Sequence, residues 1–485
     1  MKLITFQFKE AANVARNMID TGFYRYEHRR ASHEFFSPGP LSTMRTTTAP
    51  SATFNLVSTI IGGGVLSLPY AFDKCGLVVA FFLMVFAASA STFSLYVIVS
   101  CSRRGRAASY EEVVRKALGE RAGHITVLLL VLLTFLTLVA YTILTKDLVS
   151  SLGAKFIFNR PISNAEQNIL TISCVLLVSP ALLARSMSAL RFTSMFSLMS
   201  VLMLAITISI RALGVTLSHR DIQKEIHIKL TPDSLADAVY AFPIISVAFL
   251  CHFNVLPVYR ELHKPTRHRL KKIVASTMFS AWLFYMVVGA MGYLFAYRQQ
   301  GGVQGDILKS FSDDDPLINF GRLGLLVTLQ LGLSLIIQPC RANVFRLAKI
   351  ATGYTRSKIY STCDLSESEN EEAADESTRL VTPPGGHAQA GLTSNIVYVL
   401  LTVGIMTSVL SIAFLLPTVA IVWNIMGSTV GLLVSYVLPC VSYVRIRREK
   451  PKTDRRIISA WLILVVSSLA CAACTTQAFL SVLSL

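Results

Sequence analysis

Long apolar runs alternate with short, arginine-rich connectors along this chain. Most of the runs lack the charged face that a helix needs on the surface of a water-soluble domain. An α-helix rises about 1.5 Å per residue, so ~20 apolar residues cross the ~30 Å hydrocarbon core of a bilayer. The pattern predicts an all-α polytopic membrane protein with eleven transmembrane helices, at residues 52–72, 77–99, 124–148, 167–186, 190–213, 236–258, 271–297, 318–340, 395–416, 418–444 and 457–483.

Two polar stretches stand apart from these spans. Residues 1–50 carry the turn-rich sequence SPGP, and residues 354–394 carry the acidic cluster DLSESENEEAADE followed by TPPGG. Segments with so little apolar surface to bury stay disordered. We therefore expect a disordered N-terminal tail and a transmembrane domain over residues 51–485 that contains a disordered loop. The serines of that loop could instead serve a regulatory role through phosphorylation.

Composition and charge agree with a membrane protein. The chain is 53% hydrophobic and 15% charged, against about 25% charged residues in an ordinary soluble domain. Its formal net charge is +17, yet roughly three quarters of its Lys and Arg lie on one side of the predicted membrane. This asymmetry follows the positive-inside rule and needs no nucleic-acid partner. It predicts a cytoplasmic N-terminus, and it leaves the plasma membrane and a vacuolar or lysosomal membrane open.

The first predicted span contains a run of three glycines, which lowers the stability of a helix. It reads FNLVSTIIGGGVLSLPY over residues 54–70, with Gly62, Gly63 and Gly64 at its centre. Each glycine costs about 1 kcal/mol relative to alanine inside a helix. An unwound segment there would point free N–H groups and the positive end of a half-helix at an anion such as a carboxylate. Close packing of helices through small residues is the alternative.

The sixth predicted span shows a second interruption. It reads AFPIISVAFLCHFNVLPVYREL over residues 241–262, with a proline near each end and with His252 and Asn254 deep in the apolar run. Interrupted segments at matching places in two halves of a chain are the best sequence indication of a transporter site. His252 could contact a substrate or carry a proton, or it could form a hydrogen bond between helices.

Several other functions find little support in the sequence. The patterns HExxH, Walker A and GxSxG are absent, so we expect neither an enzyme nor a nucleotide-binding cofactor site. The nine cysteines show no zinc-like pairing, and no disulfide or metal site is expected. Asp147 and Asp237 lie towards the ends of predicted spans, where water is expected to reach them. A channel would show a repeated filter or rings of charged residues, and this sequence shows neither pattern.

Six motifs in order resemble the amino acid/auxin permease family, which includes sodium-coupled neutral amino acid transporters and vacuolar amino acid transporters. They are FNLVSTIIGGGVLSLPYAFDKCG at 54–76, SYEEVVRKALG at 109–119, LRFTSMFSL at 190–198, CHFNVLPVYREL at 251–262, GDIL at 305–308 and VWNIMGSTVG at 422–431. The resemblance covers most of residues 50–485. It implies a leucine-transporter-like fold, in which spans 1–5 and 6–10 form inverted repeats and span 11 is added.

The resemblance also implies a substrate and a site. An amino acid's α-carboxylate and α-amino group would bind the unwound backbone of the first span, and the sixth span would face its side chain. The substrate-binding residues implied are Thr59, Ile60, Ile61, Gly62, Gly63, Gly64, Phe249 and His252. The expected function is secondary active transport of amino acids, neutral ones above all, by alternating access coupled to an ion gradient. The alternative is a membrane sensor that reports amino acid binding through its cytoplasmic segments.

The coupling ion is where this chain departs from the family pattern. In sodium-coupled members, an asparagine of the first span and a threonine of the eighth are implicated in the sodium site. Asn55 matches the asparagine, but the threonine position falls near Gly332, which has no side-chain oxygen. Ser334 lies about 200° further round an ideal helix. We therefore expect a proton as the coupling ion, or sodium independence, in preference to sodium coupling through Asn55 and Ser334.

Overall fold

The computed structural model describes residues 47–183, 191–218, 228–263, 265–297, 299, 302–351, 386–449 and 454–483. Most of the predicted disordered segments, residues 1–50 and 354–394, lie outside these ranges. The regular elements of the described residues are all helices. They are α1 Ala49–Ile60, α2 Leu68–Cys75, α3 Leu77–Gly105, α4 Tyr110–Leu118, α5 Glu120–Gly153, α6 Asn164–Leu177, α7 Ser179–Leu182, α8 Arg191–Ser218, α9 Leu235–Ala248, α10 Val255–Glu261, α11 Arg267–Ala296, α12 Pro316–Ala351, α13 Gly386–Leu415, α14 Val419–Met426, α15 Leu438–Ile446 and α16 Arg455–Leu483.

The predicted all-α membrane class is confirmed, whereas the number of spans stays a prediction. Among the described residues, eight helices are long and apolar enough to cross a membrane, and nine if the bent pair α1 and α2 counts as one span. The remaining predicted spans fall short for local reasons. The fourth is divided between α6 and α7, and the sixth is interrupted between α9 and α10.

The helices differ in how much of their apolar surface the protein itself covers. Only 22% of the most apolar window of α16 is buried, against 67% for the tenth span, which runs from Val419 to Ile446. The large side chains left outside include Trp461, Leu462 and Leu469 of α16. Such a surface suits hydrocarbon rather than water, so α16 lies at the periphery and the tenth span at the centre.

The tenth span approaches the sixth closely enough to need a glycine. A Cβ atom on Gly427 would lie 2.4 Å from the carbonyl oxygen of Pro243 in α9. Pro243 has no N–H to continue the hydrogen bonds of its helix. The Asn424 side-chain amide in α14 donates to the nearby Tyr240 carbonyl oxygen at 2.6 Å. The backbone of the tenth span then passes through two π-helical turns after Met426, a geometry that is frequent at functional sites.

Candidate functional site

The first helix is broken where the glycine run predicts it. α1 ends at Ile60, Gly62 is extended with φ −142° and ψ −157°, and a 3₁₀-helix then runs from Gly63 to Ser67. The two halves meet at an angle of 49°. The first N–H groups of any helix lack partners within it, so the turn at Gly63 presents unpaired donors. The break is therefore observed, and its use for substrate binding stays a prediction.

The neighbours of the glycine run come from the third and eighth spans. A Cβ on Gly63 would lie 2.7 Å from Leu144 Cδ1 of α5 and 3.4 Å from Leu329 Cδ2 of α12. A Cβ on Gly62 would lie 3.0 Å from the hydroxyl oxygen of Tyr141. A Cβ on Gly63 would also lie 3.5 Å from the Cε1 atom of the Tyr141 ring. Tyr141 therefore sits against the unwound backbone.

The second break lies between α9 and α10, over residues 249–254. Phe249 packs edge to face on Tyr285, with 5.3 Å between the ring centroids. His252 is fully buried, and both of its ring nitrogens lack a hydrogen-bond partner among the described residues. Its ring lies 6.3 Å from that of Tyr436, again edge to face. The sequence left open a structural role for His252 through a hydrogen bond to another helix. Among the described residues no such hydrogen bond is present.

Tyr285 of α11 connects the two breaks. Its hydroxyl lies 2.7 Å from the carbonyl oxygen of Ile60 and 2.9 Å from that of Ala248. These are the last residues of α1 and α9, and terminal carbonyls have no partner within their own helix. A tyrosine hydroxyl has one hydrogen to donate, so the two carbonyls compete for it. One fully buried phenol thus holds two broken helix ends together.

Replacing Tyr285 with phenylalanine should lower transport and loosen the link between the two breaks. It removes the one hydrogen that the two carbonyl groups share, and an unsatisfied buried polar group costs about 1–3 kcal/mol. We expect a reduced maximal uptake rate and a lower melting temperature. Tyr293→Phe is the matched control, because Tyr293 lies on the same helix and its hydroxyl accepts a hydrogen bond from the Lys229 N–H, at 3.0 Å, away from the two breaks. Equal uptake by the two variants would show that the bridge is dispensable.

The residues proposed for the ion lie close to this region but present few free oxygens. The backbone carbonyl of Asn55 accepts hydrogen bonds from the hydroxyls of Ser58 and Thr59, the latter at 2.8 Å. Ser334 is buried and donates to the Gln330 carbonyl of its own helix at 3.4 Å. A Cβ on Gly332 would lie 2.8 Å from the ring of Tyr141. The glycine at 332 therefore makes room for the tyrosine that reaches the glycine run.

Sequence reasoning missed both tyrosines of the site and misplaced one carboxylate. Tyr141 and Tyr285 stand in apolar spans, and a buried phenol usually finds a hydrogen-bond partner; that was the available signal. Asp147 was expected to be reached by water, but it is only 6% exposed. The expectation was wrong because α5 continues beyond it to Gly153 and a π-helical turn extends to Phe158.

A helical bundle with two interrupted helices joined at a buried centre is typical of membrane transporters with broken helices. The chain belongs to the transmembrane amino acid transporter family, part of the amino acid/auxin permeases, since the family's sequence profile matches residues 45–480. A Bos taurus protein provisionally named sodium-coupled neutral amino acid transporter 11 is 24% identical over 441 residues, which cover 88% of this chain and 82% of that protein.

A solved transporter shares the fold at much lower identity. It is MHP1, a nucleobase-cation-symport-1 family transporter in a closed conformation with bromovinylhydantoin bound. The TM-score is 0.52 at 10% identity, with 90% of this chain and 91% of the other covered. Together with the family match, this confirms the predicted leucine-transporter-like architecture.

Proposed function

We propose that this protein is a secondary active transporter that carries neutral amino acids across a membrane by alternating access, coupled to an ion gradient. The observation that supports it most is the meeting of the two helix breaks at Tyr285, whose hydroxyl lies 2.7 Å from the carbonyl oxygen of Ile60, two residues before the glycine run. Membership of an amino acid transporter family supplies the substrate class.

The glycine run offers the groups that an amino acid backbone needs. N–H groups at the start of the 3₁₀-helix and the hydroxyl of Tyr141 suit an α-carboxylate. The carbonyl oxygens near the end of α1, from Thr59 to Ile61, suit an α-amino group. Phe249 and His252 of the second break would then face the side chain of the substrate.

A neutral side chain fits the surroundings better than a charged one. The neighbours of the glycine run are Leu144, Leu329 and Tyr141, and the ring of Phe249 packs on Tyr285. None of these side chains carries a charge to pair with an acidic or basic substrate. Burying an unpaired charge is far more costly than burying a neutral polar group.

The orientation follows from charge. The concentration of Lys and Arg on one side supports a cytoplasmic N-terminus, and it makes residues 354–394 a cytoplasmic loop of the domain that spans residues 51–485. The plasma membrane and a vacuolar or lysosomal membrane both fit this orientation.

Uptake of radiolabelled amino acids by the purified protein in liposomes tests the proposal. We expect neutral amino acids to accumulate when an ion gradient is imposed. Binding without accumulation, combined with loss of a bound partner when residues 1–50 are deleted, would favour the sensor instead. His252→Ala should change the order in which amino acids are preferred, with normal protein yield.

A further inference from the structure

The connection between α11 and α12 packs directly on the first broken helix. The Ser67 hydroxyl, at the end of the 3₁₀-helix that begins at Gly63, donates to the Gly305 carbonyl oxygen at 2.7 Å. A Cβ on Gly305 would lie 3.0 Å from the Cβ of Ala420. This connection therefore lies between the first and tenth spans, and it contacts the 3₁₀-helix at Ser67, three residues after Gly64.

The residue after Gly305 is a carboxylate that is almost completely buried. Asp306 is 2% exposed, and its Oδ1 accepts a hydrogen bond from the Leu308 N–H at 3.0 Å. Its other oxygen, Oδ2, is buried without a hydrogen-bond partner among the described residues. A buried carboxylate oxygen with no donor is costly as an anion and needs a proton or a cation.

A second carboxylate from another helix has the same deficiency. Asp147 of α5 forms an ion pair with Lys309, at 2.9 Å between Oδ1 and Nζ. Its Oδ2 is buried and lacks a hydrogen-bond partner in the described part of the chain. Burial, and after it the negative charge of Asp147, raises the pKa of Asp306.

The other charged side chains nearby, Arg322 and Lys146, interact with other groups. The guanidinium of Arg322 is fully buried and binds Asp313 Oδ1 at 2.9 Å. It also donates to the carbonyl oxygens of Leu308 and Phe311 in the connection and to the side-chain oxygen of Asn319 in α12. The ammonium group of Lys146 is 3.3 Å from the Ala413 carbonyl oxygen. Among the described residues, the ion pair of the two carboxylates is the one between Asp147 and Lys309.

We propose that Asp306 and Asp147 form a proton-binding site that admits a proton from the non-cytoplasmic side and links its binding to the first broken helix. The proposal rests on the transport function above and names its coupling site. A proton from water adds to a carboxylate oxygen, with no bond broken, and supplies the donor that the two free oxygens lack. A buried carboxylate that feels a second negative charge takes up a proton more readily than an isolated one.

Proton binding at this pair is linked to the substrate site by one hydrogen bond, from the Ser67 hydroxyl to the Gly305 carbonyl oxygen. With the proton bound, the repulsion between two buried anions is removed, and the connection stays seated on Ser67. When the proton leaves, the repulsion favours release of the Gly305 carbonyl from the 3₁₀-helix that begins at the glycine run. Occupancy of the proton site and the position of the first broken helix are thereby coupled.

Infrared difference spectroscopy on the purified full-length protein tests the site without any need for transport. As pH is lowered, the carbonyl stretch of a protonated buried carboxyl should appear in the wild type and be lost in Asp306→Asn. Asp147→Asn should shift or remove it as well. The control is Asp314→Asn, because Asp314 belongs to the same connection and its side chain is 80% exposed; this variant should keep the band.

Uptake into liposomes supplies the second measurement. We expect acid on the non-cytoplasmic side to stimulate wild-type and Asp314→Asn uptake several-fold and to leave Asp306→Asn uptake unchanged. An Asp306→Asn protein that keeps both the band and the acid stimulation would overturn the proposal. A wild type that shows the band but moves no amino acid would instead reject the transport function and leave the proton site standing.

Discussion

Replacing Gly63 with leucine should abolish amino acid uptake while the protein still reaches the membrane. A Cβ at this position already lies 2.7 Å from Leu144 Cδ1, a separation that requires a neighbour to move. The remaining carbons of leucine would have to enter the space against Tyr141 and Leu329, beside the N–H groups proposed to bind the carboxylate. A misplacement of ~1 Å can cost on the order of 100-fold in rate. Radiolabelled uptake, normalised to the amount of protein in the membrane, measures the loss.

A glycine of α8, outside the proposed site, provides the control. A Cβ on Gly214 would meet nothing within 4 Å, so Gly214→Ala should transport nearly as well as the wild type. Gly63→Ala should fall between the two variants, because only the flexible end of Leu144 needs to shift. Normal uptake by Gly63→Leu would show that the glycine run serves helix packing and that the substrate binds elsewhere.

The first break could be predicted because its signal is local. A helix loses stability wherever it carries glycine, and Gly62, Gly63 and Gly64 occur together in an otherwise apolar span. The second break was predicted only as an interruption between Pro243 and Pro257, and Pro243 itself lies inside α9. The chain instead unwinds at residues 249–254, around the polar His252. Its position depends on packing against other helices as well as on the local sequence.

The contacts that join the breaks could not be derived from the sequence. Tyr285 meets Ile60 across 225 positions of the chain, and no local pattern indicates which buried phenol will reach a helix end. The same limit applies to Asp147 of α5, which forms an ion pair with Lys309 of the connection between α11 and α12. The apolar pattern of a span shows that it is buried or faces lipid, but it does not specify its neighbours.

Several of the oxygens beside the first break already take part in hydrogen bonds. The carbonyls of Ile60 and Ala248 both face the hydroxyl of Tyr285, and the hydroxyl of Ser334 is directed to the Gln330 carbonyl. In transporters of this class, unwound backbone carbonyls and half-helix ends coordinate the coupling cation. At the position where the family resemblance implies a threonine ligand, Gly332 supplies no side-chain oxygen and the ring of Tyr141 fills the space.

Replacing external sodium with choline at constant pH should therefore leave uptake largely intact, whereas collapsing an inward proton gradient should depress it. The Bos taurus relative is named as a sodium-coupled transporter. The experiment therefore tests whether this chain shares the sodium coupling that the name gives to that protein.

Gly332→Thr should lower uptake without creating sodium dependence, because a Cβ there would lie 2.8 Å from the ring of Tyr141 and would push that ring towards the glycine run. Gly404→Ala serves as the control, since a Cβ on Gly404 meets nothing within 4 Å. A steep sodium dependence of the wild type that disappears in Ser334→Ala would contradict the prediction, because it would require Ser334 to turn from its own helix and bind the cation.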